Sequence, residues 1–213
     1  MRFKKMNTMG DDSYKPGKLS EKVDLFEVDE IFNSIYPQYI QSAAKKHWTR
    51  LEVARKAARF LAISPDVKIL DIGSGSGKFC FAAAHFHPET QFYGVEQREE
   101  LVTLCNNLKK QLGIFNVTFI HKNITDLRIE EYDHFYFYNS FYENIEGTQK
   151  IDYSVQYSEK LYDYYNLCLY KMLDKKPSGT RIATYHSFGN EIPPDYEVVH
   201  SDYDDYLKFW IKL

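Results

Sequence analysis

The chain has 213 residues, of which 44% are apolar and 27% charged, a composition that predicts a globular protein with one main core. Its formal net charge of −3 and pI of about 6.2 argue against a nucleic-acid partner, because binding to phosphate backbones calls for a basic surface. The three cysteines form no C-x-x-C pair, so they suggest neither a disulfide framework nor a zinc cage. A reducing, cytoplasmic location and no metal site are therefore expected.

The N-terminal part of the chain divides into two segments. Residues 1–20 carry few large apolar side chains and are predicted to form a flexible tail, with no apolar stretch that could serve as a signal peptide. Residues 21–65 are predicted to form a helical extension that packs on the core. Apolar residues recur there at three- and four-residue steps over 23–35 and 38–62, which predicts two helices separated by Pro37. No window in the chain approaches the length of a membrane span.

Residues 66–213 show the alternation of strands and helices that is typical of a parallel sheet covered on both faces. Helices are predicted at 78–85, 99–112 and 153–173. The last two strands are separated only by a short polar stretch, which predicts a hairpin. The fold class is therefore a Rossmann-like, doubly wound α/β domain with a mostly parallel, seven-stranded sheet and a C-terminal antiparallel hairpin. The predicted strands are 67–72, 91–96, 117–121, 134–139, 180–186, 196–200 and 206–212.

A glycine-rich segment, DIGSGSGKF at 71–79, directly follows the first predicted strand and opens the first helix of the domain. Glycines in such a turn let a ligand approach the backbone at the carboxyl end of a parallel strand, where open α/β sheets bind ligands. The second strand ends nineteen residues after Gly77 in Glu96, whose carboxylate can accept hydrogen bonds from both hydroxyls of a ribose. Together these features predict a cofactor that contains a nucleoside.

Two other nucleotide patterns fit this segment less well. A Walker loop requires G-x-x-x-x-G-K-[ST], but Ile72 lies five residues before Gly77 and Phe79 follows Lys78, so both requirements fail. A dinucleotide fold favours G-x-G-x-x-G, whereas Lys78 stands where the third glycine is required. An NAD-linked oxidoreductase nevertheless stays open as an alternative function.

The spacing D-x-G-x-G-x-G, with its acid ending a strand, resembles the first motif of class I S-adenosylmethionine-dependent methyltransferases, and the resemblance extends over residues 67–142. It implies S-adenosylmethionine as the cofactor and methyl transfer as the reaction. The glycine loop then lies against the methionine part, Glu96 binds the ribose, and Asn123 and Ile124 meet the adenine. The implied cofactor-binding residues are Asp71, Gly73, Ser74, Gly75, Gly77, Glu96, Gln97, Asn123, Ile124 and Asn139.

The segment Asn139-Ser140-Phe141-Tyr142 at the end of the fourth strand is similar to the active-site motif of that family. Members that modify planar or amide nitrogens carry two prolines after the Asn, and Ser140 and Phe141 replace them here. Asn139 and Tyr142 are the catalytic candidates, because an Asn carbonyl can hold an N–H group of the acceptor and an aromatic face can stabilise a passing cation. The acceptor is expected to be a nitrogen of a protein or small molecule, and its identity and the oligomeric state are left open.

Several of these groups also have an ordinary structural explanation. Lys78 is expected at the surface in the first turn of a helix, and Asn123 fits the cap of a turn. Trp48 suits either the core or the closure of the cofactor pocket together with His47, and His186 is a second-rank candidate for a general base. The Asp-rich stretch at 202–205 is expected to be a solvated turn. A relative of the fold that binds the cofactor or a protein partner without turnover is the main alternative to an enzyme.

Overall fold

The computed structural model describes residues 24–42 and 48–213, so the predicted tail at 1–20 lies outside the described residues. Seven strands form one sheet in the order β3-β2-β1-β4-β5-β7-β6. All neighbouring strands pair in parallel except β7, which runs antiparallel to both β5 and β6. The predicted fold class is confirmed. The strands are β1 Lys68–Ile72, β2 Gln91–Glu96, β3 Val117–His121, β4 His134–Phe137, β5 Arg181–Tyr185, β6 Tyr196–Asp202 and β7 Leu207–Lys212.

Six α-helices lie within the described residues: α1 Asp29–Asn33, α2 Gln38–Gln41, α3 Leu51–Leu61, α4 Lys78–Phe86, α5 Glu99–Leu112 and α6 Glu159–Asp174. The prediction of one continuous helix over 38–62 is wrong, because the backbone is non-helical at 48–50 and α3 begins only at Leu51. The helix predicted at 153–173 begins later, at Glu159, because the hydroxyl of Ser158 caps it by accepting from the Leu161 amide at 3.2 Å. None of the helices in 24–42 and 48–213 is long and apolar enough to cross a membrane.

The sheet separates two apolar layers, because successive strand residues point to opposite faces. On one face Ile69, Phe92 and Tyr136 pack with helices α3, α4 and α5. On the other face Leu70 and Phe135 pack with α6 and with the 3-10 turns that connect β3 to β4. Both faces of the central strands are therefore covered, which leaves the carboxyl edge of the sheet as the place for a ligand.

The described part of the N-terminal extension joins the first of these layers. Phe26 and Phe32 are buried in it, and the Phe26 ring stacks on His85 of α4 with centroids 4.0 Å apart. The Asp29 carboxylate accepts from the Leu51 amide at 3.1 Å, which ties α1 to the start of α3. These contacts place the extension against His85, near the carboxyl end of α4, and against the start of α3.

His134 links the stability of the sheet to pH. Its Nδ1 accepts the Arg181 amide at 3.1 Å, and its Nε2 is buried without a hydrogen-bond partner among the described residues. Burial lowers the pKa of His134 below its usual value. As pH falls below about 6.5, the His134 imidazole is protonated in the unfolded chain but stays neutral in the folded chain. The free energy of unfolding must therefore decrease.

We expect wild type to lose up to about 1.4 kcal/mol per pH unit from this group as pH falls below about 6.5. His134→Asn keeps an acceptor for Arg181 but cannot titrate, so its stability should fall less steeply. Urea unfolding of both proteins from pH 8 to pH 5 measures the difference. Parallel curves for the two proteins would show that His134 does not contribute.

Candidate cofactor and acceptor site

A cavity of about 920 Å³ opens at the carboxyl ends of β1, β2, β4 and β5. This volume is at the upper end of the range for small-molecule sites and offers room for a cofactor and part of an acceptor. Gly77 does not line the cavity. The other predicted cofactor-binding and catalytic residues line the cavity: Asp71, Gly73, Ser74, Gly75, Glu96, Gln97, Asn123, Ile124, Asn139 and Tyr142.

The glycine loop is fixed to the end of β2 by backbone hydrogen bonds. The amides of Gly73 and Ser74 both donate to the carbonyl of Val95, at 3.0 and 2.9 Å. A Cβ on Gly73 would lie 2.4 Å from the Cβ of Ser140, and one on Gly77 would lie 2.7 Å from the Phe119 ring. Both positions therefore require glycine because the neighbouring chain is too close for a side chain. Gly77 serves packing and caps α4 from a left-handed conformation.

The middle of the loop has the features of a ligand cradle. Gly75 has a φ of +53°, and a Cβ built on it meets nothing within 4 Å, so its backbone faces open space. The hydroxyl of Ser74 is buried and has no hydrogen-bond partner among the described residues. Buried polar groups are normally satisfied, so the Ser74 hydroxyl is free to bond to a ligand. These two observations fit the polar methionine end of S-adenosylmethionine.

Glu96 ends β2 with its carboxylate buried beneath the loop. Its Oε2 accepts from the Gly75 amide at 3.0 Å, and its Oε1 accepts from the backbone amide and Nη1 of Arg98 at 3.0 and 3.2 Å. A carboxylate offers about four lone-pair positions, so at least one stays available for a ribose hydroxyl. The acid is thus held by the protein at the edge of the cavity before any ligand arrives.

Asp71, which also lines the cavity, is a second buried acid. Its Oδ2 accepts from the Cys80 thiol at 3.5 Å. Burial, reinforced by the nearby Glu96 charge, raises the pKa of Asp71 to about 8. At neutral pH the group is therefore mostly protonated, and an approaching positive charge should ionise it.

The proposed adenine segment follows β3. The side chain of Asn123 is already engaged: its Oδ1 accepts from the Thr125 amide at 3.1 Å, and its Nδ2 donates to the Tyr165 hydroxyl at 2.9 Å and to Gln97 at 3.4 Å. This arrangement caps a 3-10 turn, as the structural explanation expected. Ile124 lines the cavity beside it and can pack on a ring. The binding of adenine by Asn123 stays a prediction.

The part of the cavity beside the ends of β4 and β5 is aromatic and contains two strained residues. Asn139 follows β4 with a φ of +39°, and His186 follows β5 with a φ of +52°. The His186 ring stacks against Tyr138 with centroids 5.6 Å apart, and burial lowers the pKa of His186, so it is neutral at pH 7. Tyr142 and Phe188 are exposed at the mouth, with ring centroids 6.2 Å apart. Strain in two residues that flank one cavity is typical of functional sites.

The N-terminal extension borders the cavity beside the glycine loop. The Tyr36 hydroxyl donates to the carbonyl of Ser76 at 3.1 Å, and Trp48 lines the cavity next to Tyr36. The expectation of a surface position for Lys78 is wrong: its ammonium group is buried, donates to Asn33 at 2.8 Å and pairs with Asp29. His47 lies outside the described residues.

The sequence did not point to Tyr36 or to the charged group around Arg98. The Arg98 guanidinium lies within 3.2 Å of Glu96, 2.6 Å of Glu143 and 3.2 Å of Asp152. A basic residue two positions after Glu96 was the available signal, since a strand-terminal acid that is buried needs a partner. Its other partners lie more than forty residues away and could not be read from spacing.

Residues 63–156 match the family model described as a methyltransferase domain. A tRNA (guanine-N(7)-)-methyltransferase of Synechococcus sp. (strain JA-3-3Ab) is 39% identical over 92 residues, which are 43% of this chain and 35% of that protein. A ribosomal RNA small subunit methyltransferase G of Chlorobaculum tepidum is 31% identical over 71 residues, 33% of each chain. An RNA methyltransferase from Salinibacter ruber, solved with S-adenosyl-L-homocysteine, has the same fold, with a TM-score of 0.55 at 18% identity over 78% of this chain and 93% of that one.

The fold, the glycine loop with its strand-terminal acid, and the matched segment all resemble those of methyltransferases. Residues 63–156, a little under half of the chain, match a methyltransferase domain, and the sheet has the fold of an RNA methyltransferase that was solved with S-adenosyl-L-homocysteine. It spans about a third of the length of the curated relatives that it matches. The names of those relatives contradict the expectation that argued against nucleic acid. Net charge sums over the whole surface, so it does not report the surface beside one cleft.

The role of Gly75 can be separated from its backbone strain with Gly113, the C-cap of α5, which has a φ of +67° and equally open space around a built Cβ. Gly75→Ala and Gly113→Ala should cost similar stability, because both place an L side chain in the left-handed region. Only Gly75→Ala puts a methyl group into the cavity, so S-adenosylhomocysteine should bind it at least about tenfold more weakly. Calorimetric affinities and melting curves test this, and equal affinities in two folded variants would contradict it.

Cofactor binding should release protons from Asp71. The ammonium and sulfonium groups of S-adenosylmethionine favour the ionised carboxylate, so the pKa of about 8 must fall on binding. Affinity should therefore increase as pH rises toward 8 and then level off. Calorimetry at pH 7 in two buffers of different ionisation enthalpy measures the protons released, and Asp71→Asn should release fewer. Equal proton release by both proteins would show that Asp71 does not ionise on binding.

Proposed function

We propose that this protein transfers the methyl group of S-adenosylmethionine to N7 of a guanine base in RNA. The observation that carries the proposal is the aromatic acceptor side of the cavity, with Asn139 at its centre. The matched relatives, named for methylation of tRNA guanine and of ribosomal RNA, support the same acceptor class. An RNA acceptor also agrees with the cytoplasmic location expected from the sequence.

The mouth of the cavity suits a flat, unstacked ring. Tyr142 is 42% exposed and Phe188 is 64% exposed, and because both line the cavity their ring faces are open to a planar ligand. Stacking of one base on an aromatic side chain contributes about 1–3 kcal/mol. Single-stranded RNA bases are recognised in this way, with hydrogen bonds to their edges providing selectivity.

Asn139 can supply those edge contacts. Its side chain makes no hydrogen bond within the described residues, so its carbonyl oxygen and its amide N–H groups are both free for an acceptor. A guanine offers a carbonyl oxygen next to N7 and N–H donors on its other edge. The left-handed backbone conformation of Asn139 turns the chain at the end of β4 and thereby sets the position of its Cβ atom.

The reaction requires little acid–base chemistry from the protein. S-adenosylmethionine, when bound, supplies an electrophilic methyl group on a positively charged sulfur. N7 of guanine attacks with a lone pair, so the carbon–sulfur bond breaks, the carbon–nitrogen bond forms and no proton leaves. The ring becomes positive, and the faces of Tyr138 and Tyr142 and the carboxylates of Asp204 and Asp205 at the cavity can stabilise that charge. The remaining contribution is positioning and exclusion of water.

An amine of a protein or small molecule is the second candidate acceptor. Asp204 and Asp205 line the cavity at the turn between β6 and β7, and carboxylates at that place favour a cationic substrate. The predicted solvated turn is thus also part of the cleft. An amine must lose a proton before it attacks, and neutral His186 is the base available for that step.

Labelled S-adenosylmethionine incubated with unmodified tRNA transcripts and total RNA should yield 7-methylguanosine on nucleoside analysis. Asn139→Ala should lower kcat about a hundredfold while S-adenosylhomocysteine affinity stays within a few-fold, because the contact positions the acceptor only. Tyr142→Phe should be mild and Tyr142→Ala severe in KM, because the ring provides a stacking face.

The same assay includes lysine-containing peptides and small amines as competing acceptors. If label appears only in the peptides or small amines, the acceptor is an amine and not RNA. Binding of S-adenosylhomocysteine with no label in any fraction would instead favour a relative that does not turn over.

A further inference from the structure

Arg98 sits between the cofactor side and the acceptor side of the cavity. Its side chain is 4% exposed, and three carboxylates surround its single positive charge. One, on Glu96, belongs to the end of β2. The other two, on Glu143 and Asp152, belong to the loop at residues 142–157, and the Tyr157 hydroxyl from the same loop lies 2.8 Å from Nη2. One guanidinium therefore joins the ribose acid to this loop.

The 142–157 loop has little regular structure of its own and is organised around these contacts. Beyond a 3-10 turn at Tyr142–Asn144 it has no helix or strand. The second oxygen of Glu143 accepts the Ile151 amide at 2.5 Å, and the Tyr157 hydroxyl donates to the Asp152 carbonyl at 2.8 Å. Both contacts tie distant parts of the loop to groups that face Arg98, so the loop conformation depends on this residue.

The hydrogen-bonding capacity of Glu96 connects this arrangement to the cofactor. Three donors, the amides of Gly75 and Arg98 and the Arg98 Nη1, already occupy most of the roughly four lone-pair positions of the Glu96 carboxylate. A ribose that engages the carboxylate with two hydroxyls must share it with Arg98. The position of Arg98, and with it the loop, is therefore sensitive to the cofactor.

We infer that Arg98 is a positioning residue that couples cofactor binding to the order of the 142–157 loop. The loop contributes Tyr142, Gly147, Thr148 and Gln149 to the wall of the cavity. Ribose hydroxyls bonded to Glu96 hold the carboxylate that positions Arg98, so Arg98 keeps Glu143 and Tyr157 in place and the loop opens less often. The inference rests on the proposed function for its use of cofactor and acceptor, but it can be tested with the cofactor product alone.

Trypsin cleavage after Lys150 reports on this coupling directly. The bond that trypsin cuts involves the Ile151 amide, which is bonded to Glu143, so cleavage requires that the loop opens. With S-adenosylhomocysteine at a hundred times its Kd, cleavage of wild type should slow by at least about tenfold, and by up to about a hundredfold if the open form does not bind. Mass spectrometry of the 151–213 fragment measures the rate.

Arg98→Lys keeps the charge but cannot bridge Glu96, Glu143 and Tyr157 together. Its protection ratio, the cleavage rate without ligand divided by the rate with ligand, should therefore fall to about threefold or less. The ligand is again used at a hundred times the Kd, here the Kd of the variant. Tyr157→Phe removes one contact and should give an intermediate ratio, which keeps the test usable if Arg98→Lys folds poorly. Arg128→Lys makes the same exchange in an exposed ion pair with Glu131 and should behave as wild type.

If the role of Arg98 is purely structural, its substitution should speed cleavage by the same factor with and without ligand. An unchanged protection ratio in both Arg98→Lys and Tyr157→Phe would therefore overturn the inference. Calorimetry of the wild type separates this from failure of the proposed function. If S-adenosylhomocysteine does not bind at all, the proposed function and the coupling fail together; if it binds and the ratios are unchanged, the coupling alone fails.

Discussion

The buried carboxylate of Glu96 is the point on which the arrangement of the cleft depends. One oxygen holds the glycine loop through the Gly75 amide, and the other holds Arg98. An isolated buried charge is costly, so the guanidinium and the two amides are a condition for placing the acid there. Because these donors come from the loop and from the chain after β2, the acid fixes both relative to the sheet edge.

The topology explains why the two halves of the cavity differ in character. The strand order reverses between β1 and β4, which places the polar, glycine-rich ends of β1 and β2 on one side and the ends of β4 and β5 on the other. On the second side Asn139 and His186 leave their strands with left-handed backbone, each beside an aromatic neighbour. In the proposed reaction, the cofactor and the acceptor base meet across this switch point.

The sequence predicted what depends on local pattern and missed what depends on distant contacts. The bounds of β2, β3 and α5 were predicted as observed, because alternating or helical apolar spacing is decided within each segment. The burial of Lys78 was not predicted, because its partner Asp29 lies 49 residues earlier in the chain. The role of Arg98 similarly depends on Glu143, 45 residues away. The break before α3 depends on how the extension folds over α4, which periodicity does not report.

The reversed strand β7 has a consequence for how acceptor preference could diverge among related chains. Because β7 runs opposite to β5, the turn before it is delivered to the rim of the cleft, with Tyr203, Asp204 and Asp205 all in left-handed conformation. A hairpin tip tolerates insertion and exchange far better than a strand end. Exchanges at this tip can therefore alter the rim of the cleft without disturbing the sheet or the glycine loop.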